Sequence, residues 1–171
     1  MSYKLIKDQI TKEKCDELIN LEHDWQYDPV ISHDGIVQED DYESSNRRRV
    51  KQSFVPHLYE EWEDGKVLGS KVMKYEVGDF VIEHRDRTGM LHSDCYEKGL
   101  NLRSKDLMII PLNDDYEGGV LTVEGEEVPQ EVGTLIQIPQ PEGDIHARPR
   151  HGISEVTKGT RYSLVFWNFV K

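Results

Sequence analysis

Cysteine is scarce in this chain. Two are present in 171 residues, Cys15 and Cys95. They form no CxxC pair and are too few for a disulfide framework, so buried or idle thiols are expected. Long apolar runs are absent too, and no membrane partner is expected. The opening Met1-Ser-Tyr-Lys-Leu-Ile-Lys lacks the apolar core of a signal peptide, which points to a cytoplasmic protein. Basic residues are in deficit: 21 Lys and Arg stand against 33 Asp and Glu, for a net charge of -12. A general phosphate-binding surface needs the opposite balance, so no nucleic acid partner is expected. No GxGxxG follows a strand-like segment and no Walker A motif occurs, which disfavours dinucleotide and P-loop sites. Internal repeats, low-complexity tracts and an interdomain linker are also missing.

What remains suits a single soluble domain over residues 1–171. Hydrophobic residues make up 36% and charged residues 32%, enough for both a core and a solvated surface. Thr11 to Trp25 reads as a helix, with Thr11 as N-cap and Leu18, Leu21 and Trp25 at helical spacing. Residues 27–46 are rich in Asp, Ser, Gly and Glu and read as a long loop. A second helix is predicted after Pro56, ending near Gly65. Residues 1–69 are therefore expected to form helical support and loop. From residue 70 onward the texture is strand-like: Ser70–Tyr75, Asp79–His84, Asp106–Leu112, Val120–Val123, Gly133–Ile138, Gly152–Thr157 and Arg161–Phe169. Helices followed by evenly spaced strands predict a mainly β fold, an antiparallel sandwich or barrel braced by N-terminal helices.

The chemistry concentrates in a few positions. An alternating segment runs from Phe80 through Ile82 to His84, and Asp86 follows two residues on. In a regular strand, residues two apart share a face. Phe80, Ile82 and His84 are then expected to point inward, with Asp86 beside them. Two imidazoles and one carboxylate on one face of an octahedron form the facial triad of non-haem Fe(II) oxygenases. His92-Ser-Asp94 repeats the His-x-Asp pattern but lies in a loop-like segment. His146 and His151 are the candidates for the third ligand. His151 opens a strand-like segment, whereas His146 sits in a loop-like one. Arg161 heads the apolar strand Arg-Tyr-Ser-Leu-Val-Phe-Trp, with Ser163 on the same face. A guanidinium and a hydroxyl so placed suit a carboxylate. The basic run Arg47-Arg48-Arg49 reads either as a solvated patch beside Glu39-Asp40-Asp41 or as a clamp for an anionic or polypeptide substrate.

Taken together, these segments resemble the prolyl-4-hydroxylase-like branch of the Fe(II)/2-oxoglutarate dioxygenases. The matching pieces are Tyr75 with Gly78-Asp-Phe and His84-x-Asp86; Arg103 leading to Leu112-Asn-Asp-Asp-Tyr-Glu-Gly-Gly119; and His151-Gly-Ile with Lys158-Gly-Thr-Arg-Tyr-Ser-Leu-Val-Phe-Trp167. The resemblance covers residues 70–169. It implies a double-stranded β-helix, the jelly-roll or cupin-like architecture, over residues 70–171. It assigns His84, Asp86 and His151 to Fe(II), and Arg161 with Ser163 to the distal carboxylate of 2-oxoglutarate. Tyr75 matches a tyrosine that hydrogen-bonds the cosubstrate in relatives, and also reads as a core tyrosine. Gly118 and Gly119 match a turn. The implied reaction is an O2-dependent hydroxylation that releases succinate and CO2, with ascorbate as reductant. The carboxylate of Asp86 favours hydroxylation, since related halogenases lack it. The implied substrate is a prolyl residue in a polypeptide, with a free amino acid, small metabolite or modified nucleobase as alternatives. One departure is Pro111, where relatives often carry an aromatic residue. Two rivals are a metal-binding cupin-like module without oxygenase activity and a noncatalytic β-sandwich interaction protein.

Overall fold

The computed structural model describes residues 2–28, 30–31, 37–38, 48–86, 102–143 and 147–171. In chain order the strands are β1 (Lys4–Ile6), β2 (Gln26–Tyr27), β3 (Val30–Ile31), β4 (Val37–Gln38), β5 (Arg48–Arg49), β6 (Lys51–Val55), β7 (Glu61–Trp62), β8 (Gly65–Tyr75), β9 (Phe80–His84), β10 (Arg103–Pro111), β11 (Tyr116–Gly118), β12 (Leu121–Val123), β13 (Glu126–Glu127), β14 (Leu135–Pro139), β15 (His151–Ile153), β16 (Val156–Gly159) and β17 (Arg161–Val170). One helix, α1 (Lys12–Asn20), is present among the described residues. The larger sheet runs β1-β14-β10-β17-β8-β6-β2, with β7 paired to β8. A smaller sheet runs β13-β12-β15-β9-β5, and β11-β16 and β3-β4 form separate pairs. The β10–β17 and β17–β8 ladders at the centre of the larger sheet are antiparallel, as is β15–β9 in the smaller one. This is a double-stranded β-helix.

Burial on both faces of the larger sheet explains why its strands read as near-continuous apolar runs. On the inner face, Met73, Tyr75, Leu107, Ile109, Ile136 and Ile138 meet Leu121, Val123 and Ile153 of the smaller sheet. On the outer face, Val72, Met108, Ile110, Leu135, Leu164 and Phe166 pack with Cys15 and Leu18 of α1. Strand β17 alternates between the two: Val165 and Trp167 join the inner cluster, Leu164 and Phe166 the outer one. Leu164 is fully buried, and burial of such a side chain stabilises by about 1.5–3 kcal/mol. Arg161 and Ser163 share the inward phase of Val165 and Trp167.

Helix α1 starts as its sequence predicts. Thr11 is the N-cap, and its hydroxyl accepts from the Lys14 amide at 3.1 Å. The helix stops at Asn20 rather than continuing to Trp25. His23 folds back on its end: Nε2 meets the carbonyls of Leu18 and Ile19 at 2.9 and 3.1 Å, and Nδ1 meets the Ser53 hydroxyl at 2.9 Å. Carbonyls only accept, so Nε2 carries the proton and caps the orphan acceptors of the last turn. Leu21 and Trp25 still pack on the outer cluster.

The predicted second helix does not form. Glu61–Trp62 pairs instead with Gly65–Lys66 across a two-residue turn in which Glu63 takes φ 51. Gly65 serves packing rather than helix termination, because a Cβ there would overlap the Asn168 side chain. The N-terminal third is thus more than helical support: β1, β2, β6 and β7 belong to the larger sheet and β5 to the smaller one. Of the expected loop over residues 27–46, positions 29, 32–36 and 39–46 lie outside the described residues, and β3 pairs with β4 in the remainder. Pro111 ends β10 opposite Ser163 without breaking the ladder. Leu112 bonds toward β17, so the position of Pro111 nitrogen faces the β14 side, beyond the last β10–β14 pair at Ile109.

Candidate active site

The inward aim of His84 depends on a β-bulge. Strand β15 pairs His151 with His84 and Ile153 with Val81, so two steps on β15 match three on β9. The extra residue shifts the alternation. Val81 packs against the inner cluster, Ile82 is 46% exposed, and His84 returns to the face of His151. The simple alternation that put Phe80, Ile82 and His84 on one inward face is therefore corrected: Val81 and His84 share it. Gly152 permits the bulge, since a Cβ there would lie 2.8 Å from the Glu83 amide nitrogen and 2.9 Å from the Val81 carbonyl oxygen.

His84, Asp86 and His151 then converge. Asp86 Oδ1 lies 3.3 Å from His84 Nε2 and 3.2 Å from His151 Nε2, and the imidazole centroids are 4.5 Å apart. All three ligand atoms lie within 4.8 Å of one another. Each remaining donor is already committed. His84 Nδ1 donates to the Ile82 carbonyl at 2.9 Å and His151 Nδ1 to the Pro149 carbonyl at 3.1 Å. These bonds place both Nε2 atoms toward the centre, as carbonyls that accept from a histidine's other nitrogen do in metal sites. Trp167 Nε1 donates to Asp86 Oδ2 at 3.0 Å, leaving Oδ1 to face the imidazoles. With bonds of about 2.1 Å, neighbouring ligands of an octahedral ion sit about 3 Å apart. The two carboxylate–imidazole separations are close to that edge, so the donor set fits a divalent transition metal.

Electrostatics point the same way. Burial would push the Asp86 carboxyl up, but the charge and hydrogen bonding of His151 and His84 overcome it and hold the group well below its ordinary range. Burial likewise opposes charge on His151, yet Asp86 and the Pro149 carbonyl raise its pKa. A buried carboxylate facing two imidazole nitrogens is an arrangement that a dication would complete. His84 is the more open ligand, its side chain 36% exposed against 7% for His151.

A second polar group sits on β17. Arg161 is 1% exposed. Its described partners are neutral. Nε and Nη2 both donate to Gln130 Oε1, at 3.1 and 2.6 Å, and Nη1 donates to Ser163 Oγ at 3.2 Å. The Tyr75 ring lies under the guanidinium at 4.8 Å, in register across the β17–β8 ladder. Burial pushes the Tyr75 hydroxyl up to about 12 against the opposing pull of Arg161, so it stays neutral. A buried cation among neutral partners has an unmet demand for an anion.

Other positions singled out in the sequence fall elsewhere. His92, Asp94, His146, Cys95, Arg47 and Glu39-Asp40-Asp41 lie outside the described residues. Arg48 pairs with Asp28 at 2.9 Å and Arg49 with Asp79 at 3.3 Å, so both are engaged within the fold. Cys15 is a thiol on the buried face of α1. Three participants escaped the sequence: Trp167, Gln130 and Gly152. Trp167 offered a signal, since it shares the inward phase of Arg161 six positions before it.

The sequence matches no family model and no curated protein. Solved structures do match in shape. The viral collagen prolyl hydroxylase of Paramecium bursaria Chlorella virus-1, in complex with 2-oxoglutarate, has TM-score 0.67 at 14% identity, covering 100% of this chain and 97% of that one. A Pseudomonas putida prolyl-4-hydroxylase has TM-score 0.63 at 12% identity, covering 99% and 93%. A Burkholderia pseudomallei oxidoreductase of the 2OG-Fe(II) oxygenase family has TM-score 0.59 at 11% identity, covering 98% and 84%. The chain therefore has the double-stranded β-helix fold of the 2-oxoglutarate oxygenases, and its likeness in shape includes prolyl hydroxylases.

Proposed function

We propose that this protein is an Fe(II)- and 2-oxoglutarate-dependent dioxygenase that hydroxylates its substrate. The observation that carries the proposal is the pairing of a converging His84-Asp86-His151 donor set with a buried, neutrally partnered Arg161 on the wall of the same β-helix. A metal-binding module has use for the first and none for the second. His84 Nε2, His151 Nε2 and Asp86 Oδ1 would hold the ion. The chemistry supplied there when iron is bound is the reduction of dioxygen, shared between decarboxylation of 2-oxoglutarate to succinate and CO2 and hydroxylation of the substrate.

The chain's own residues bind, orient and exclude. Arg161 and Ser163 hold the distal carboxylate of 2-oxoglutarate, and the neutral Tyr75 hydroxyl is available as a further donor. Trp167 keeps Asp86 from rotating. Tyr75, Leu107, Ile153 and Val165 supply an apolar lining that keeps water from the interior. The substrate proposed from likeness to prolyl hydroxylases is a prolyl residue in a polypeptide. A soluble cytoplasmic enzyme, one domain over residues 1–171 and ascorbate as reductant complete the proposal. The test is anaerobic equilibrium titration. One Fe(II) or Mn(II) per chain and one 2-oxoglutarate per metal-loaded chain are expected. Metal binding with no affinity for 2-oxoglutarate would return the protein to the metal-binding modules.

A further inference from the structure

We infer that Gln130 is a positioning and selectivity residue, whose neutral amide fixes the Arg161 guanidinium while leaving its charge for the carboxylate of an incoming ligand. The inference rests on the dioxygenase proposal above. Gln130 follows Pro129 in the connection between β13 and β14. Its Oε1 takes two donors of Arg161, from Nε at 3.1 Å and Nη2 at 2.6 Å. Its Nε2 donates to the Gly119 carbonyl at 3.1 Å, so the amide has one orientation: nitrogen on the carbonyl, oxygen on the guanidinium. Gly119 is part of the same fitting, because a Cβ there would lie 2.9 Å from Arg161 Cδ. The third bond is Nη1 to Ser163 Oγ.

A guanidinium carries five N–H donors in a fixed plane. Three are spent on Gln130 and Ser163, which leaves one on each terminal nitrogen, with the neutral Tyr75 hydroxyl within hydrogen-bond reach of the group. Such a pair matches the two oxygens of a carboxylate. Glutamate at position 130 would present a charged acceptor to the guanidinium and satisfy the cation internally, while losing the amide bond to the Gly119 carbonyl. The amide in place of an acid therefore decides whether this pocket still demands an anion.

The test uses the full chain loaded with Mn(II) without oxygen. Calorimetric titration with 2-oxoglutarate, glutarate and succinate is compared across wild type, Gln130→Glu and Gln130→Leu, alongside thermal unfolding of each apoprotein. Gln130→Glu is expected to weaken 2-oxoglutarate binding tenfold or more, while its apoprotein melts above that of Gln130→Leu, because both lose the Gly119 bond but only glutamate gives the buried cation a partner. Gln130→Leu is expected to weaken binding as well, but to melt below wild type, having lost two bonds to a buried guanidinium. Mn(II) affinity stays unchanged in both. Wild-type 2-oxoglutarate affinity in Gln130→Glu would overturn the role of Gln130 and leave the dioxygenase proposal standing. A Gln130→Glu apoprotein that melts no higher than Gln130→Leu would show that the carboxylate does not satisfy the guanidinium, and also overturn it. Failure of the wild type to bind any of the three acids would overturn both.

Discussion

Trp167→Phe isolates one hydrogen bond in the candidate metal site. The indole Nε1 donates to Asp86 Oδ2 at 3.0 Å, and Asp86 is 8% exposed, so water has little room to replace it. Phenylalanine keeps an aromatic ring against the inner cluster and removes the donor. A hydrogen bond to a charged group contributes about 1.5–3 kcal/mol. At about 1.4 kcal/mol per tenfold change, metal affinity is expected to fall roughly 10- to 100-fold. Loss of a hydrogen bond that orients a metal-ligating side chain lowers metal affinity over the same span, about 10- to 100-fold. The assay is anaerobic competition for Fe(II) or Mn(II) against a chelator of known affinity, with thermal unfolding of the apoprotein as control for the fold. Affinity within about threefold of wild type, in a variant that folds normally, would refute the claim that Trp167 fixes the carboxylate; about 0.6 kcal/mol is too small for a bond of this kind.

Arg161→Ala removes the proposed charge partner of 2-oxoglutarate. A loss on the order of 2–5 kcal/mol is expected in 2-oxoglutarate binding, with metal affinity retained and a smaller loss in Ser163→Ala, both read by titration. Gly152→Ala forces a Cβ to within 2.8 Å of the Glu83 amide nitrogen. A cost of about 1–3 kcal/mol in denaturant unfolding is expected, together with weaker metal binding as the bulge shifts His84. Proton linkage gives a prediction for the apoprotein. The raised pKa of His151 contributes stability that is full below its ordinary value of 6.5 and is lost as pH rises through the higher folded value. The depressed pKa of Asp86 contributes stability that is full above 3.8 and is lost as pH falls through the lower folded value. Melting temperature from this pair should therefore peak in the mildly acidic window between them. Metal must displace the His151 proton, so metal affinity should climb with pH up to the raised folded value of His151 and level off above it.

Much of this architecture was legible because it rests on local pattern. Thr11 as N-cap, the apolar runs of β10 and β17, and the ordered segments bearing His84, Asp86, His151 and Arg161 all carry short-range signals. The misses share a physical cause, which is contact between residues distant in sequence. Trp25 has helical spacing, yet His23 caps the chain five residues earlier by reaching Ser53 in β6. Residues 56–65 look helical from Pro56 and Gly65, yet Gly65 answers to Asn168, over a hundred positions away. The bulge in β9 is set by its partner β15, so alternation within β9 alone mistook Ile82 for an inward residue. Gln130 meets Arg161 across 31 positions, and nothing around it in sequence marks it as a partner of that side chain.

The central claim is that the metal donor set and the buried Arg161 act together on 2-oxoglutarate. The direct measurement is succinate formation by the purified chain with Fe(II), 2-oxoglutarate, oxygen and ascorbate, screened with proline-containing peptides and small molecules. Wild type is expected to produce succinate and a product heavier by one oxygen, with His151→Ala and Arg161→Ala both inactive but folded. Full succinate formation in His151→Ala, or none in wild type with any of the substrates, would contradict it.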